Sequence, residues 1–420
     1  MADEHLIDEA FEHALRVLRE CMSPDGFKAS ALAGGYPQVW ARDSAITMLG
    51  ALLTEEPDLV AASRASLATL AKTQTDLGMI HLNLDTRSGK VTTENAGAVD
   101  ANLWYLLGHF AYFSSSGDVE FLSTHWRSLE RATLWLRYQD MNACGLLEVP
   151  EAGDWADLYS VRYNVLYDNV LFVGALRAMA LMAAALGEEP AADYRTMAAA
   201  VSERINLLMW LDRPWDGREF GEQLEKLKAM RLEWYLLYQN TATLTEQPFY
   251  LPWVGFREFG HTFDGLGNSL AVLLGVAPQD RAERLLTHAH ASGADHPWPL
   301  KAFSPAIHPG DRDWRDYYRS RSLNLPDQYH NGGIWPFVGG FYVAALVKAG
   351  RRERAEEQLG LLAAANRLGK QGEWEFNEWL HGVSGRPMGH PLQAWSAAMF
   401  VFAKTCVERG GTPLFDELSG

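Results

Sequence analysis

The sequence predicts an all-α protein built as one domain, and three observations predict it. Apolar residues recur at three- and four-residue steps in about twelve stretches, the signature of helices that bury one face. Strand-like alternation is scarce. No long low-complexity linker divides the chain, so residues 1–420 read as a single unit rather than a string of small domains.

The first stretch runs from residue 4 to 21, where Leu6, Ile7, Ala10, Phe11, Ala14, Leu15, Val17, Leu18 and Cys21 fall on one helical face. Ser23-Pro-Asp-Gly26 ends it with turn chemistry. The same pattern predicts helices over 42–54, 58–74, 96–114, 118–140, 163–186, 190–210, 266–276, 278–292, 332–349, 351–367 and 391–408. Between them lie long loops, most of them rich in aromatic residues, at 23–41, 75–95, 141–162, 211–265, 293–331 and 368–390. Long loops in a compact domain are usually functional. A ring of helical hairpins that gathers these loops at one face is the economical arrangement.

Composition narrows the function. With 48% hydrophobic and 21% charged residues the chain is globular, and no run of apolar residues reads as a membrane span. The N-terminal Met1-Ala-Asp-Glu4 carries acids where a secretory signal has basic residues, so a cytoplasmic location is expected. A net charge of -16 argues against nucleic acid as a partner. Cys21, Cys144 and Cys406 are isolated and read as buried thiols, not metal ligands. The histidines of Leu286-Thr-His-Ala-His-Ala-Ser-Gly-Ala-Asp-His296 are poorly spaced for one metal and read as a solvated surface. No metal and no organic cofactor is expected. The sequence leaves homo-oligomer formation open.

Five stretches carry candidate chemistry. In Glu151-Ala-Gly-Asp-Trp-Ala-Asp-Leu-Tyr-Ser160, Asp154 and Asp157 are interleaved with Trp155 and Tyr159. Rings stack on sugar faces, and desolvation raises a carboxyl pKa towards the range of a general acid; a solvated acidic loop is the bland alternative. Tyr36-Pro-Gln-Val-Trp-Ala-Arg-Asp-Ser-Ala45 brings Arg42 and Asp43 together with Tyr36 and Trp40, where Asp43 is equally well read as a helix cap. Asp100 and Asn102 begin a strongly apolar helix, lining a cavity or capping its start. Leu323-Asn-Leu-Pro-Asp-Gln-Tyr-His-Asn-Gly-Gly-Ile-Trp-Pro336 gathers Gln328, Tyr329, His330, Asn331 and Trp335 around a Gly332-Gly333 pair that suits an unusual backbone path or a close ligand. Finally Glu373, Glu375 and Glu378 alternate with rings ahead of Gln393, and only one of the three is expected to reach the chemistry.

Together these motifs resemble the (α/α)6 glycoside hydrolases, in the same order over residues 36 to 396. Trp40-Ala-Arg-Asp-Ser-Ala45 resembles the Trp-Thr-Arg-Asp-Ser segment of glucoamylases. Asp100 with Leu103-Trp104, Asn331-Gly-Gly-Ile-Trp-Pro336 and Asn377-Glu-Trp-Leu-His-Gly-Val-Ser-Gly-Arg386 resemble segments of alkaline and neutral invertases. Trp155-Ala-Asp157 is similar to the Trp-Met-Asp of debranching-type glucosidases. A short chain of this kind most resembles the mannosylglycerate and glucosylglycerate hydrolases of glycoside hydrolase family 63. It departs from the invertases where Trp-Pro-Glu-Tyr-Tyr-Asp becomes Phe376-Asn-Glu-Trp-Leu-His381, which speaks against sucrose.

The resemblance implies an (α/α)6 toroid and an inverting hydrolase of a small anionic α-glycoside, mannosylglycerate or glucosylglycerate. Asp157 is then the general acid and Glu378, kept ionised, the general base that activates a water on the opposite face. Arg42, Asp43, Asp100 and Asn102 would hold the sugar, Tyr36, Trp40, Trp155 and Trp335 would wall the pocket, and Tyr329 and Gln393 would meet the aglycone with a basic residue for which Arg162 is the candidate. Asp154 would support the loop. The alternatives are the same fold acting on trehalose, an oligosaccharide or sucrose, and a sugar-binding toroid without catalysis.

Overall fold

The structure, a computed structural model, describes residues 4–92, 98–189, 191–211, 217–235, 246–256 and 258–419. Six helices are buried on nearly every side: Ala41–Ala51, Val99–Ser116, Leu166–Leu186, Gly265–Leu273, Pro336–Lys348 and Ala394–Arg409. Each packs against the next and the sixth against the first, closing an inner ring. Six others, Glu4–Cys21, Pro57–Ala71, Val119–Arg137, Ala191–Leu208, Gln279–Ala291 and Arg352–Arg367, bury one face against that ring and turn the other to water. Outer and inner helices alternate along the chain. This is the (α/α)6 toroid.

Small residues make the ring tight. A Cβ on Gly50 would lie 2.0 Å from the Ala398 carbonyl oxygen, and one on Gly340 would lie 2.6 Å from that of Met399. Only glycine lets the first and fifth inner helices approach the sixth this closely. Leu166–Leu186 has the length and apolarity of a membrane span, which the sequence reading passed over. Its neighbours in the ring supply the apolar surroundings that a bilayer otherwise would.

Every outer-to-inner connection is long, whereas inner-to-outer connections such as Gly117–Asp118 and residues 349–351 are short. All the long segments therefore lie at the N-terminal end of the inner ring. Two-residue ladders pin several of them just ahead of an inner helix: Val39–Trp40 pairs with Asn83–Asp85, Asn164–Val165 with Trp253–Val254, and Phe263–Asp264 with Phe303–Ser304. Helix N-termini carry partial positive charge. Asp43, Asp100 and Asp168 sit in first turns there, and Asp264 caps its helix by accepting the Gly267 amide.

The predicted helices match within a few residues, and Pro336 stands in a first turn as expected. The start expected at 96–97, the residue at 190 and part of the 211–265 loop lie outside the described residues. Within that loop the structure adds a helix the sequence reading missed, Gly217–Ala229, in which Leu227 is the one buried side chain. So polar a helix leaves almost no apolar stripe to detect.

Candidate active site

The N-terminal face holds a pocket lined by Tyr36, Trp40, Arg42, Asp43, Trp155, Asp157, Tyr329, Trp335, Glu378, Gln393 and Trp395. Asp157 comes from the segment before the third inner helix and Glu378 from the segment before the sixth. These positions are opposite on a ring of six, so the two acids face one pocket from opposite sides. A tyrosine attends each: the Tyr329 hydroxyl lies 3.4 Å from Asp157 Oδ1, and the Tyr36 hydroxyl 3.4 Å from Glu378 Oε1. The His390 amide donates to Glu378 Oε2 at 2.9 Å, and the Glu378 amide returns a bond to the His390 carbonyl.

Glu378 depends on a glycine. Gly389 has φ +65°, and a Cβ there would lie 2.3 Å from Glu378 Oε2 and 2.7 Å from Glu378 Cβ. Gly389→Ala is expected to displace the carboxylate and lower kcat by about 100-fold, as angstrom-scale misplacement does. A steady-state assay beside a thermal melt checks this: unchanged kcat in a folded variant would refute it.

The electrostatics are those of crowded acids. Burial raises Asp157 to about 6, with Asp100 adding to the rise and Arg42 opposing it. Burial, with the charges of Asp43 and Asp157, raises Glu378 to about 7. Asp43 is raised to about 6 by burial against the pull of Arg42. The expected elevation of Asp157 is present. The expectation that Glu378 stays ionised holds in the free protein only above about pH 7, because burial and the nearby Asp43 and Asp157 disfavour its charge.

Arg42 is the single cation lining the pocket among the described residues, and it is committed. Its Nη1 meets Asp100 Oδ2 at 2.7 Å, with 7% and 0% of the two side chains exposed. The Tyr167 hydroxyl donates to the same oxygen at 3.0 Å and accepts from Trp104 Nε1 at 2.7 Å. Among the described residues, four buried donors around the pocket have no protein partner: Trp40 Nε1, Arg42 Nε, Gln393 Nε2 and Trp395 Nε1. Buried donors call for acceptors. A ligand dense in oxygen supplies them while the rings pack on its apolar faces.

Several expectations are corrected. Asp100 does not line the pocket; it stands behind Arg42 and fixes the guanidinium. Asn102 does not reach it either. Its Oδ1 accepts the Ile80 amide, and its Nδ2 donates to the Gly78 and Ala132 carbonyls, tying the 75–82 segment to its helix. Arg162 is spent on the Ser160 carbonyl, Glu151, Glu258 and Asp313, with its guanidinium over Trp253. Asn331 is a buried brace for Ile307 and Asn324, and His330 is stacked on Trp335. The Gly332-Gly333 pair serves the chain and not a ligand: a Cβ on Gly333 would lie 2.2 Å from the Tyr329 carbonyl oxygen.

Other readings are sharpened. Asp43 stands in the first turn and not at the cap position, which is Trp40. Asp154 is buried behind Asp157 and accepts the Ala156 amide at 2.7 Å. Glu375 closes a turn through the amides of Lys370, Gln371 and Gly372, and Glu373 pairs with Arg367, leaving Glu378 to the pocket. His290 and His296 flank buried Asp295 closely enough to suggest a cation site, but Arg354 already meets Asp295 at 2.7 Å. Trp395 was missed; its signal was a third tryptophan at the start of an inner helix, after Trp40 and Trp335.

Comparison with known proteins divides the site in two. Residues 39–231, holding Arg42, Asp43 and Asp157, match the family model of the bacterial alpha-L-rhamnosidase six-hairpin glycosidase domain. Residues 246–410, holding Tyr329, Trp335, Glu378 and Gln393, match that of alkaline and neutral invertases. A probable alkaline/neutral invertase D of Arabidopsis thaliana is 24% identical over 416 residues, covering 89% of this chain and 76% of the relative. Among solved structures, a family 63 mannosylglycerate hydrolase of Thermus thermophilus in complex with Tris superposes with a TM-score of 0.66 at 16% identity, over 93% of this chain and 98% of that one. A rhamnosidase of Klebsiella oxytoca with bound rhamnose reaches 0.64 at 15% identity, over 96% and 64%.

Proposed function

We propose that this (α/α)6 glycosidase hydrolyses a small neutral α-glycoside with inversion, Asp157 acting as general acid and Glu378 as general base. The observation that carries the reading is the entry of the two carboxyls from opposite sides of the ring into one pocket. A sugar held between them presents its glycosidic oxygen to one acid and the far face of its anomeric carbon to a water beside the other. Asp157 gives its proton to the leaving oxygen as the C–O bond breaks. Glu378 takes a proton from the water that attacks the anomeric carbon. Arg42 and Asp43 hold sugar hydroxyls, while Trp40, Trp335 and Trp395 wall the ring.

The neutral aglycone follows from charge. The aglycone departs on the Asp157 side, where Arg42 is committed to Asp100 and both Arg162 and Arg315 are bound to Glu151. A carboxylate entering beside Asp43, Asp157 and Glu378 would meet repulsion, with no uncommitted cation among the described residues of the pocket to receive it. A second reading, a glycoside of glycerate, is favoured by the superposition on the Thermus hydrolase along almost the whole of both chains. Incubation with trehalose, sucrose, short α-linked oligosaccharides and both glycerate glycosides decides between them. Turnover confined to the glycerate glycosides would replace the neutral reading. Proton NMR in the first turnovers is expected to show the β-anomer released from an α-glycoside, and the α-anomer would overturn inversion.

The pair also sets a pH profile. The productive form has Asp157 protonated and Glu378 ionised. Because Glu378 is raised to about 7 and Asp157 to about 6, this is the minority arrangement of the singly protonated pair in the free protein, and the pair as a whole is singly protonated between about pH 6 and 7. A bell-shaped kcat/KM with its maximum in that interval is expected, falling about tenfold per pH unit outside it. A flat profile through neutrality would remove the acid–base pairing.

A further inference from the structure

The loop that carries Asp157 rests on two carboxyls that the proposed chemistry does not use. Asp154 is 2% exposed and Asp168, in the first turn of the third inner helix, is 0% exposed. Asp154 Oδ1 is occupied by the Ala156 amide. Among the described residues Asp154 Oδ2 and both Asp168 oxygens find no hydrogen-bond donor on another residue; the Asp168 carboxyl has its own backbone amide beside it, and the two carboxyls face each other as hydrogen-bond partners. The groups around them offer no neutralising charge. Asp100 and Tyr167 face them from neighbouring helices, Asp264 faces Asp154 from the cap of the next inner helix, and Arg42 is already paired with Asp100.

Two ionised carboxylates in contact, with the Ala156 amide on one and the Asp168 amide on the other, still repel across their facing oxygens, whereas one proton between them turns the contact into a strong hydrogen bond. The positive end of the third inner helix accommodates one negative charge at this place. The loop is also tied by the Val99 amide to the Gly153 carbonyl, by the Asn324 side-chain amide to the Leu158 carbonyl just after Asp157, and by Tyr318 to Ser160. Between those ties, Asp154 fastens the turn just ahead of Asp157 to the barrel.

We propose that Asp168 is a positioning residue for Asp157, holding the acid-bearing loop through a carboxyl–carboxyl hydrogen bond to Asp154 that requires one shared proton. Its catalytic consequence rests on the assignment of Asp157 above; the shared proton itself does not. The burial that raises both Asp154 and Asp168 agrees with a proton retained at neutrality.

The test compares Asp168→Asn with Asp168→Ala. The asparagine amide can donate to an ionised Asp154 without the proton, so kcat is expected within about threefold of the parent, with a smaller loss of kcat at mildly alkaline pH. The alanine variant leaves Asp154 unanchored and is expected to lose about 100-fold in kcat with KM changed far less. Infrared difference spectra of the intact protein at mildly alkaline pH should show a protonated-carboxyl carbonyl band in the parent that is lost in Asp168→Asn. Full kcat in a folded Asp168→Ala variant, or an unchanged carboxyl band, would overturn the proposal. If the parent cleaves no glycoside the functional reading fails, while the infrared arm still decides whether the pair holds a proton.

Discussion

Glu378→Gln is expected to reduce kcat by about 10³-fold or more on every substrate, with KM within a few fold of the parent. The amide keeps the size of the carboxyl and its contacts with Tyr36 and the His390 amide, but it cannot take the proton of the attacking water. Asp157→Asn is expected to be equally damaging on an alkyl glycoside and much less so on a glycosyl fluoride. Fluoride departs without protonation, and loss of an acid is felt only where the leaving oxygen needs one. The two variants measured on both substrates assign the roles, and a mutant pattern with acid and base exchanged would reverse them.

Stability should move the other way. Glu378 is raised to about 7, above its unfolded value, so the folded state holds the proton more tightly. Such a group lowers stability as pH rises from the unfolded pKa to the folded one. An amide removes that penalty, so the melting temperature of Glu378→Gln above about pH 7 is expected to equal or exceed the parent's. Loss of activity without loss of stability separates a catalytic group from a structural one.

The inner ring and the order of the site segments were legible in the sequence for different reasons. Outer helices such as Glu4–Cys21 announced themselves by a three-to-four-residue apolar rhythm and the inner ones by long, almost wholly apolar runs, and the long loops because five of the six carry clustered rings and acids. What was not legible was depth. Trp40, Arg42 and Asp43 read as a site and line one pocket, yet nothing in the spacing tells that Asp100 stands behind Arg42 or that Asn102 faces the 75–82 segment. Both lie in one helical turn, and their roles depend on which neighbouring helix each meets. Arg162 failed for a related reason. Its partners Glu258 and Asp313 lie far along the chain, so the cation reads as free until the ring closes. Gly389 carried no signal of its own, since its importance comes from a carboxylate eleven residues earlier in the chain folding back against it.

Arg42→Met is expected to be the most disruptive single change in the pocket, and for two separable reasons. Removing the guanidinium strands Asp100, wholly buried and left with the Tyr167 hydroxyl as its remaining donor. Breaking a buried pair from one side costs about 3–5 kcal/mol, which should appear as a fall in denaturation midpoint at unchanged m-value. It also removes the one cation that opposes the rise of Asp43 and Asp157, so both take up protons more readily and the pH optimum should move upward. Arg42→Met with Asp100→Asn distinguishes these effects. The double variant no longer buries an uncompensated charge and should recover much of the lost stability, yet activity should stay low because nothing replaces the guanidinium in the pocket. Arg42→Lys should hold stability better than methionine and still lose activity, since an ammonium cannot reach Asp100 and a sugar hydroxyl in the fixed fork that a guanidinium provides. Recovery of activity in the double variant would show that Arg42 serves the fold alone, and that sugar recognition rests on Asp43 and the tryptophan walls.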